Sequence, residues 1–298
     1  MIVFDHLTKR YGPLVAVDDL SFSVEPGKVT GFLGPNGAGK TTTLRMATAL
    51  IRPDAGTVSF DGRPYAAIPQ PGRHIGIALE PNAFHPGRTA LNHLLMLAPY
   101  VGADKKRCEE VLGFVGLGDA TGKRVGKFSL GMRGRLNLAA AILGDPEVLL
   151  LDEPVNGLDP EGIRWIRQFM RALAESGRTV LTSSHLLSEV QQTVDNVVII
   201  AHGKLVHSGS LATLEAGNVP RTIVSTRQRD ALISLAQFHH WRVSAGTEPH
   251  SFLIEGPSAG EIGAAAGASH IILDQLASQS SDLEAVFLHL TEGQGGMR

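Results

Sequence analysis

The chain has 298 residues, 43% of them hydrophobic and 19% charged, with a formal net charge of -2. That is enough length and apolar content for one large domain and a smaller one. The near-neutral balance leaves no electrostatic footprint for nucleic acid, whose phosphates call for a basic surface, so no nucleic-acid partner is expected.

One cysteine, Cys108, stands in the helical-looking run KKRCEEVL and has no partner for an internal disulfide. The opening MIVFDHLTKR carries an acid at position 5 and no apolar leader core, which predicts no secretion signal. The longest apolar runs, Val148 to Leu151 and Val197 to Ala201, are strand-sized, far short of the roughly 20 residues a membrane helix needs. The expectation is a soluble, cytosolic chain.

In chain order, residues 2–33 alternate short β-like runs (IVFDHL, LSFSV, VTGFLG) with turns at Tyr11-Gly12-Pro13 and Pro26-Gly27. A glycine-rich stretch from Gly34 to Lys40 leads into TTTLRMATAL, which has helical spacing and stops before Arg52-Pro53. Residues 56–62 and 74–80 read as strands. From about 89 to 143 leucines and alanines recur at helical spacing. Val148 to Leu151 is apolar without alternation, the mark of a strand buried on both faces. A helix over 161–176, the strand TVLTSS, the helix LLSEVQQTV and the strand NVVIIA follow. Such alternation predicts an α/β core on a parallel sheet, with 89–143 as a helical subdomain at its side. Trp165, Ile166, Phe169, Met170 and Leu173 have core spacing on the 161–176 helix.

Gly217 to Pro220 reads as a linker, giving domains over 1–216 and 217–298. The second is predicted as a small α+β appendage: TIVST, ALISLAQF, WRVSA, SFLIE, EIGAAAG, HIILDQ and DLEAVFLHL as strand, helix, strand, strand, helix, strand and helix, with GQGGMR a loose tail.

Chemistry concentrates at three places. Gly34-Pro35-Asn36-Gly37-Ala38-Gly39-Lys40-Thr41 fits the phosphate-binding pattern G-x-x-x-x-G-K-[ST] between a predicted strand and a predicted helix. Glycines let successive backbone N–H groups turn inward onto phosphate oxygens, and the helix adds its positive end. Lys40 is the candidate for the β- and γ-phosphates, and the hydroxyl of Thr41 for Mg²⁺. Asp152 and Glu153 end the buried strand, where open α/β sheets bind ligands. Asp152 suits the Mg²⁺ shell and Glu153 the water that attacks phosphorus. His185 follows TVLTSS and is expected at the same sheet edge, donating to the γ-phosphate.

With these residues placed, the chain resembles the ATP-binding cassette family over about residues 2–215. The resemblance implies a P-loop NTPase core with an N-terminal antiparallel β subdomain. Phe128-Ser129-Leu130-Gly131-Met132-Arg133-Gly134-Arg135-Leu136 is similar to the family signature. Ser129 and the Gly131 backbone would then reach the ATP of a second copy; read from the residues alone, Ser129 is a helix N-cap. Tyr11 matches the aromatic that stacks on adenine, Thr42 continues the phosphate loop, and Asn156-Gly157-Leu158-Asp159 matches the D-loop, with Asp159 carrying polar contacts to the opposite subunit. Glu80 stands where the family has glutamine: it can ligate Mg²⁺ but cannot donate as an amide does. Leu130 and Met132 depart from the usual glycine and glutamine. Gly134 costs its predicted helix about 1 kcal/mol.

The resemblance further implies ATP and Mg²⁺ as ligands and two cassettes, expected to be a homodimer, working on the inner face of the membrane. It implies an integral membrane permease docked near the helical subdomain and Pro81 to Pro86. The subgroup suggested is that of bacterial exporters of antibiotics and lipid-like compounds. The competing class is a non-transport ATPase of the same superfamily acting on ribosomes or DNA, but the chain carries one cassette and no coiled coil or zinc module.

Overall fold

The computed structural model describes residues 1–79, 84–186, 191–216, 221–246 and 250–279, which divide after Leu211 into two compact units.

In the first unit, β1 (Ile2–Tyr11), β2 (Leu14–Val24) and β4 (Ala55–Phe60) form an antiparallel sheet with β1 in the centre. A larger sheet has the order β5 (Ile75–Ala78), β6 (Val148–Leu151), β7 (Thr179–Ser184), β3 (Val29–Leu33), β8 (Asn196–Ala201), β9 (Lys204–Ser210). Its first five strands are parallel, and β9 runs antiparallel at the edge. The ring of Phe4 stacks on Phe22 with centroids 4.1 Å apart, and Phe22 on Phe32 of β3 at 5.3 Å, so the two sheets share one core. Strands β3, β6 and β7 are buried at every position, as expected for strands covered on both faces.

The edge strand β9 is absent from the sequence reading, which ended the sheet at NVVIIA. Its residues KLVHSGS lack an apolar run, and the turn before it, His202-Gly203, has φ values of 50° and 80°, the two-residue geometry that suits a hairpin's twist.

The helices follow the predicted pattern. They are α1 (Lys40–Ala47), α2 (Ala90–Val101), α3 (Lys105–Phe114), α4 (Leu130–Ile142) and α5 (Pro160–Glu175). Thr89 and Asp104 cap α2 and α3 by accepting from backbone N–H groups three residues on. Cys108 is fully buried, and burial raises its thiol pKa, so it behaves as a core residue. On α5, Ile166, Phe169, Met170 and Leu173 are buried. Trp165 is only half-buried; it stacks on Phe169 at 5.3 Å and carries the Arg135 guanidinium 5.3 Å from its ring, pinning α4 to α5. Of the predicted helix LLSEVQQTV, residues 187–190 lie outside the described residues and 191–193 form a turn. The short helix α6 (Leu211–Ala216) was not anticipated.

The second unit contains β10 (Arg221–Ser225), α7 (Arg229–Phe238), β11 (Arg242–Ala245), β12 (Ser251–Glu255), α8 (Ala259–Ala268) and β13 (Gln275–Gln279). Its sheet order is β11-β12-β10-β13, with every neighbouring pair antiparallel. This is the ferredoxin-like split βαβ arrangement, built around Val224, Leu232, Phe252, Ile254 and Ile262. The predicted strand HIILDQ is displaced: Ile271 packs with Leu235 and Ala266 of the two helices, and the ladder begins only at Gln275. The linker Gly217 to Pro220, the predicted helix DLEAVFLHL and the tail GQGGMR lie outside the described residues. Among the described residues no helix is long and apolar enough to cross a membrane.

Candidate functional site

Strands β6, β7 and β3 are neighbours in the parallel sheet, so their carboxyl ends open onto one edge. From β3 the chain curls through residues 34–39 into α1. The curl is tight enough to require glycine twice. A Cβ on Gly34 would sit 2.5 Å from the Ile200 carbonyl oxygen, and one on Gly39, where φ is 106°, would sit 2.4 Å from that of Ala16. Pro35, Asn36 and Gly37 form the exposed crest of the loop. Ala38 is buried, and its carbonyl accepts from the Gly203 N–H at 3.1 Å. Thr42 continues α1 behind Thr41 and is half-buried.

Lys40 opens α1 with its side chain only 6% exposed. Its ammonium donates to the carbonyls of Gly34 at 2.7 Å and Pro35 at 3.3 Å and lies 3.6 Å from Glu153 Oε1. Burial pushes its pKa down, while the carboxylates of Glu153 and Asp152 pull the other way. Beside it, Thr41 Oγ1 donates to Asp152 Oδ2 at 2.8 Å. Glu153 turns out of the strand in the left-handed region, with φ at 47°, a conformation that costs a non-glycine residue about 1–2 kcal/mol. His185 Nδ1 lies 3.0 Å from Glu153 Oε2.

The structure therefore brings Lys40, Thr41, Asp152, Glu153 and His185 together at one sheet edge, through the Lys40–Glu153 ion pair and the Thr41–Asp152 and His185–Glu153 contacts. It adds two residues that the sequence reading did not assign to this group. Ser183 donates to Asp152 Oδ1 and accepts from the Glu153 N–H at 2.9 Å, holding both acids. Asn156 donates its side-chain amide to Glu153 Oε2. The available signal for Ser183 was a strand of hydroxyl residues, Thr182-Ser183-Ser184, all buried: polar groups ending a core strand need partners.

Ser129, Gly131 and Asp159 belong to a separate opening of about 610 Å³, lined also by Leu130, Arg135, Gly157 and Leu158. Ser129 caps α4, accepting from the Met132 N–H at 3.2 Å, and Asp159 caps α5, accepting from the Gly162 N–H at 2.9 Å. The departures from the signature pattern find neighbours here. Leu130 lies over Gly157, where a Cβ would approach its Cδ2 to 2.0 Å. Leu158 covers Gly131 and Gly134, one helical step apart, and a Cβ on either would meet it at 3.5 and 3.6 Å. Tyr11 stands at the β1–β2 hairpin, 46% exposed, with the Lys9 ammonium 5.7 Å from its ring centre. Glu80 lies outside the described residues, as do residues 81–83.

The ABC transporter family matches residues 17–156. The bacitracin transport ATP-binding protein BcrA of Bacillus licheniformis is 48% identical over 202 residues, which is 67% of this chain and 66% of that relative. Nod factor export ATP-binding protein I of Burkholderia orbicola is 33% identical across 97% of this chain and 96% of its own length. The chain belongs to the ABC transporter family, as an ATP-binding subunit. A solved ATP-binding subunit of an ABC transporter superposes on this cassette with a TM-score of 0.67 and 26% identity, covering 73% of this chain and 92% of its own. The dimeric cassette MJ0796, at 22% identity and a TM-score of 0.65, shares the fold. The activity of this ABC cassette is ATP hydrolysis.

Proposed function

We propose that two copies of this cassette close on ATP to drive export of a drug, antibiotic or lipid-like compound. The pathway is a separate membrane permease, with the cassettes bound to it on the cytoplasmic face. The observation that carries this reading is the division of the candidate residues into two groups on one chain. Lys40, Thr41, Asp152, Glu153 and His185 form one; Ser129, Gly131 and Asp159 line another opening. Each group supplies half of a site to a different nucleotide. Export is supported by the relatives, one described by bacitracin transport and one by Nod factor export.

The donors fit Mg²⁺. A hydroxyl and a carboxylate oxygen 2.8 Å apart are hard ligands, and among the described residues no group of three or more His, Cys, Asp or Glu gathers around a metal position. Mg²⁺ favours such sparse protein ligation, keeping waters and taking phosphate oxygens, with Thr41 and Asp152 (and Glu80) as its protein side. Bound there, it would neutralise charge building on the β- and γ-phosphates.

Lys40 exchanges its present acceptors, two loop carbonyls and the Glu153 carboxylate, for phosphate oxygens. The exposed crest of residues 35–37 and the N–H groups through Thr42 wrap the phosphates, and Tyr11 stacks on adenine. Ser129 and the Gly131 backbone of the facing copy complete the γ-phosphate cage. Freed from Lys40, Glu153 takes a proton from water as the water oxygen bonds to the γ-phosphorus and the bond to the β–γ bridging oxygen breaks. His185 steadies the γ-phosphate. ADP and phosphate bridge the copies poorly, and the pair opens.

Glu153→Gln tests the reading. Mg-ATP affinity should stay within about twofold while turnover falls by on the order of 10²–10⁴, and the protein should elute as an ATP-bound dimer. A monomer that hydrolyses ATP at the native rate would overturn it.

A further inference from the structure

The Glu153 carboxylate is held at both oxygens. Oε1 faces the Lys40 ammonium at 3.6 Å; Oε2 takes the Asn156 amide N–H and has His185 Nδ1 at 3.0 Å. Asn156 also donates its backbone N–H to the Glu153 carbonyl at 3.1 Å, closing a turn whose first residue is Glu153 itself, in the left-handed region. One residue thus restrains both the main chain and the side chain of Glu153.

Among the described residues three side chains lie on that carboxylate, and two of them have other work once ATP is present. Lys40 moves to phosphate, and His185 faces the γ-phosphate. Only the Asn156 amide has no assignment to the nucleotide of its own site. An amide also carries two N–H groups, so it can keep its hold on Oε2 whatever its second hydrogen meets.

We propose that Asn156 is a positioning residue for ATP hydrolysis, fixing the rotamer of Glu153 so that Oε1 is presented to the attacking water. The proposal rests on the assignment of Glu153 as the group that receives the water's proton. It also gives the packing of the next two residues a use. Gly157 lies under Leu130, and Leu158 lies on Gly131 and Gly134. The seating of α4 therefore sets the place of Asn156, and through it the aim of Glu153. An acid free to swing loses the alignment on which proton transfer depends, and small misplacements at a reacting centre are costly in rate.

The test compares Asn156→Ala, Asn156→Asp and Asn156→Gln in the full-length chain with Mg-ATP. Asn156→Asp keeps the shape and removes the donor; Asn156→Gln keeps the donor. For Asn156→Ala and Asn156→Asp we expect kcat to fall about tenfold or more, with KM and the equilibrium affinity for Mg-ATP within about twofold and an unchanged melting temperature. Asn156→Gln should recover part of kcat. In a Glu153→Gln background, Asn156→Asp should cause no further loss, because there is no carboxylate left to aim. The proposal fails if the two losses multiply, if KM rises while kcat holds, or if Asn156→Gln is as slow as Asn156→Ala. Native turnover by Glu153→Gln alone would instead refute the assignment of Glu153 beneath it.

Discussion

Thr41 and Asp152 stand 111 positions apart in the chain, yet the hydroxyl of one donates to the carboxylate of the other at 2.8 Å. The bond joins the first turn of α1 to the end of β6 and draws together the two oxygens proposed for Mg²⁺. In Thr41→Val the shape is kept and the hydroxyl lost. Affinity for ATP in the presence of Mg²⁺ should drop by about 10- to 100-fold, whereas affinity measured in EDTA should barely move. Equal losses under both conditions would show that Thr41 acts on the loop rather than on the metal.

Ser183 holds Asp152 and Glu153 together with a single hydroxyl. Ser183→Ala leaves the Glu153 N–H without its acceptor at a half-buried position and strips a donor from Asp152. A destabilisation of about 1–3 kcal/mol is expected in urea denaturation, together with reduced kcat. A variant with native stability and rate would mean that water replaces the hydroxyl fully.

Two glycines should respond in opposite ways to the same change. Gly39→Ala places a Cβ 2.4 Å from the Ala16 carbonyl at a φ of 106°, so the loop must shift, abolishing ATP binding and costing about 2 kcal/mol or more. Gly134→Ala meets only Leu158, at 3.6 Å, and should gain up to about 1 kcal/mol of stability from helix propensity. Thermal melting of the two variants separates a glycine demanded by close approach from one merely tolerated.

His93 is buried, its ring edge-on to Phe84 at 4.8 Å. Burial, with Arg88 nearby, holds its pKa below the ordinary 6.5. The folded state thus resists a proton that the unfolded chain accepts, so stability is intact above pH 6.5 and declines as pH falls below it. His93→Gln should flatten the pH dependence of the melting temperature below about pH 6.5. An unchanged slope would assign the acid sensitivity elsewhere.

The parts legible in sequence were those whose physics is local. A phosphate loop needs its glycines and lysine at fixed spacing, and a strand buried on both faces is apolar throughout, so Gly34 to Thr41 and Val148 to Glu153 announced themselves. Ser129 read from its residues alone as a cap, and a cap it is; Asp159 is one too, which the sequence reading did not anticipate, and a cap's outward face is a matter of tertiary placement. Ser183 and Asn156 escaped because their partners are chosen through space. The antiparallel edge strand β9 escaped because half-exposed edge residues need no apolar pattern, and His202-Gly203 was not read as the hairpin turn it is. The strand expected at 270–275 slid toward the C-terminus because Ile271 found a better apolar home between two helices than in the sheet.

That hairpin turn is more than punctuation. Gly203 donates to the Ala38 carbonyl in the phosphate loop at 3.1 Å and accepts from the Asp18 N–H at 2.9 Å, wedging the turn between the loop and β2. From there β9 continues to Ser210, paired with β8 apart from one irregularity in register. A change that unseats His202-Gly203 would therefore reach the loop of residues 34–39 through main-chain hydrogen bonds, without altering any residue of the loop itself.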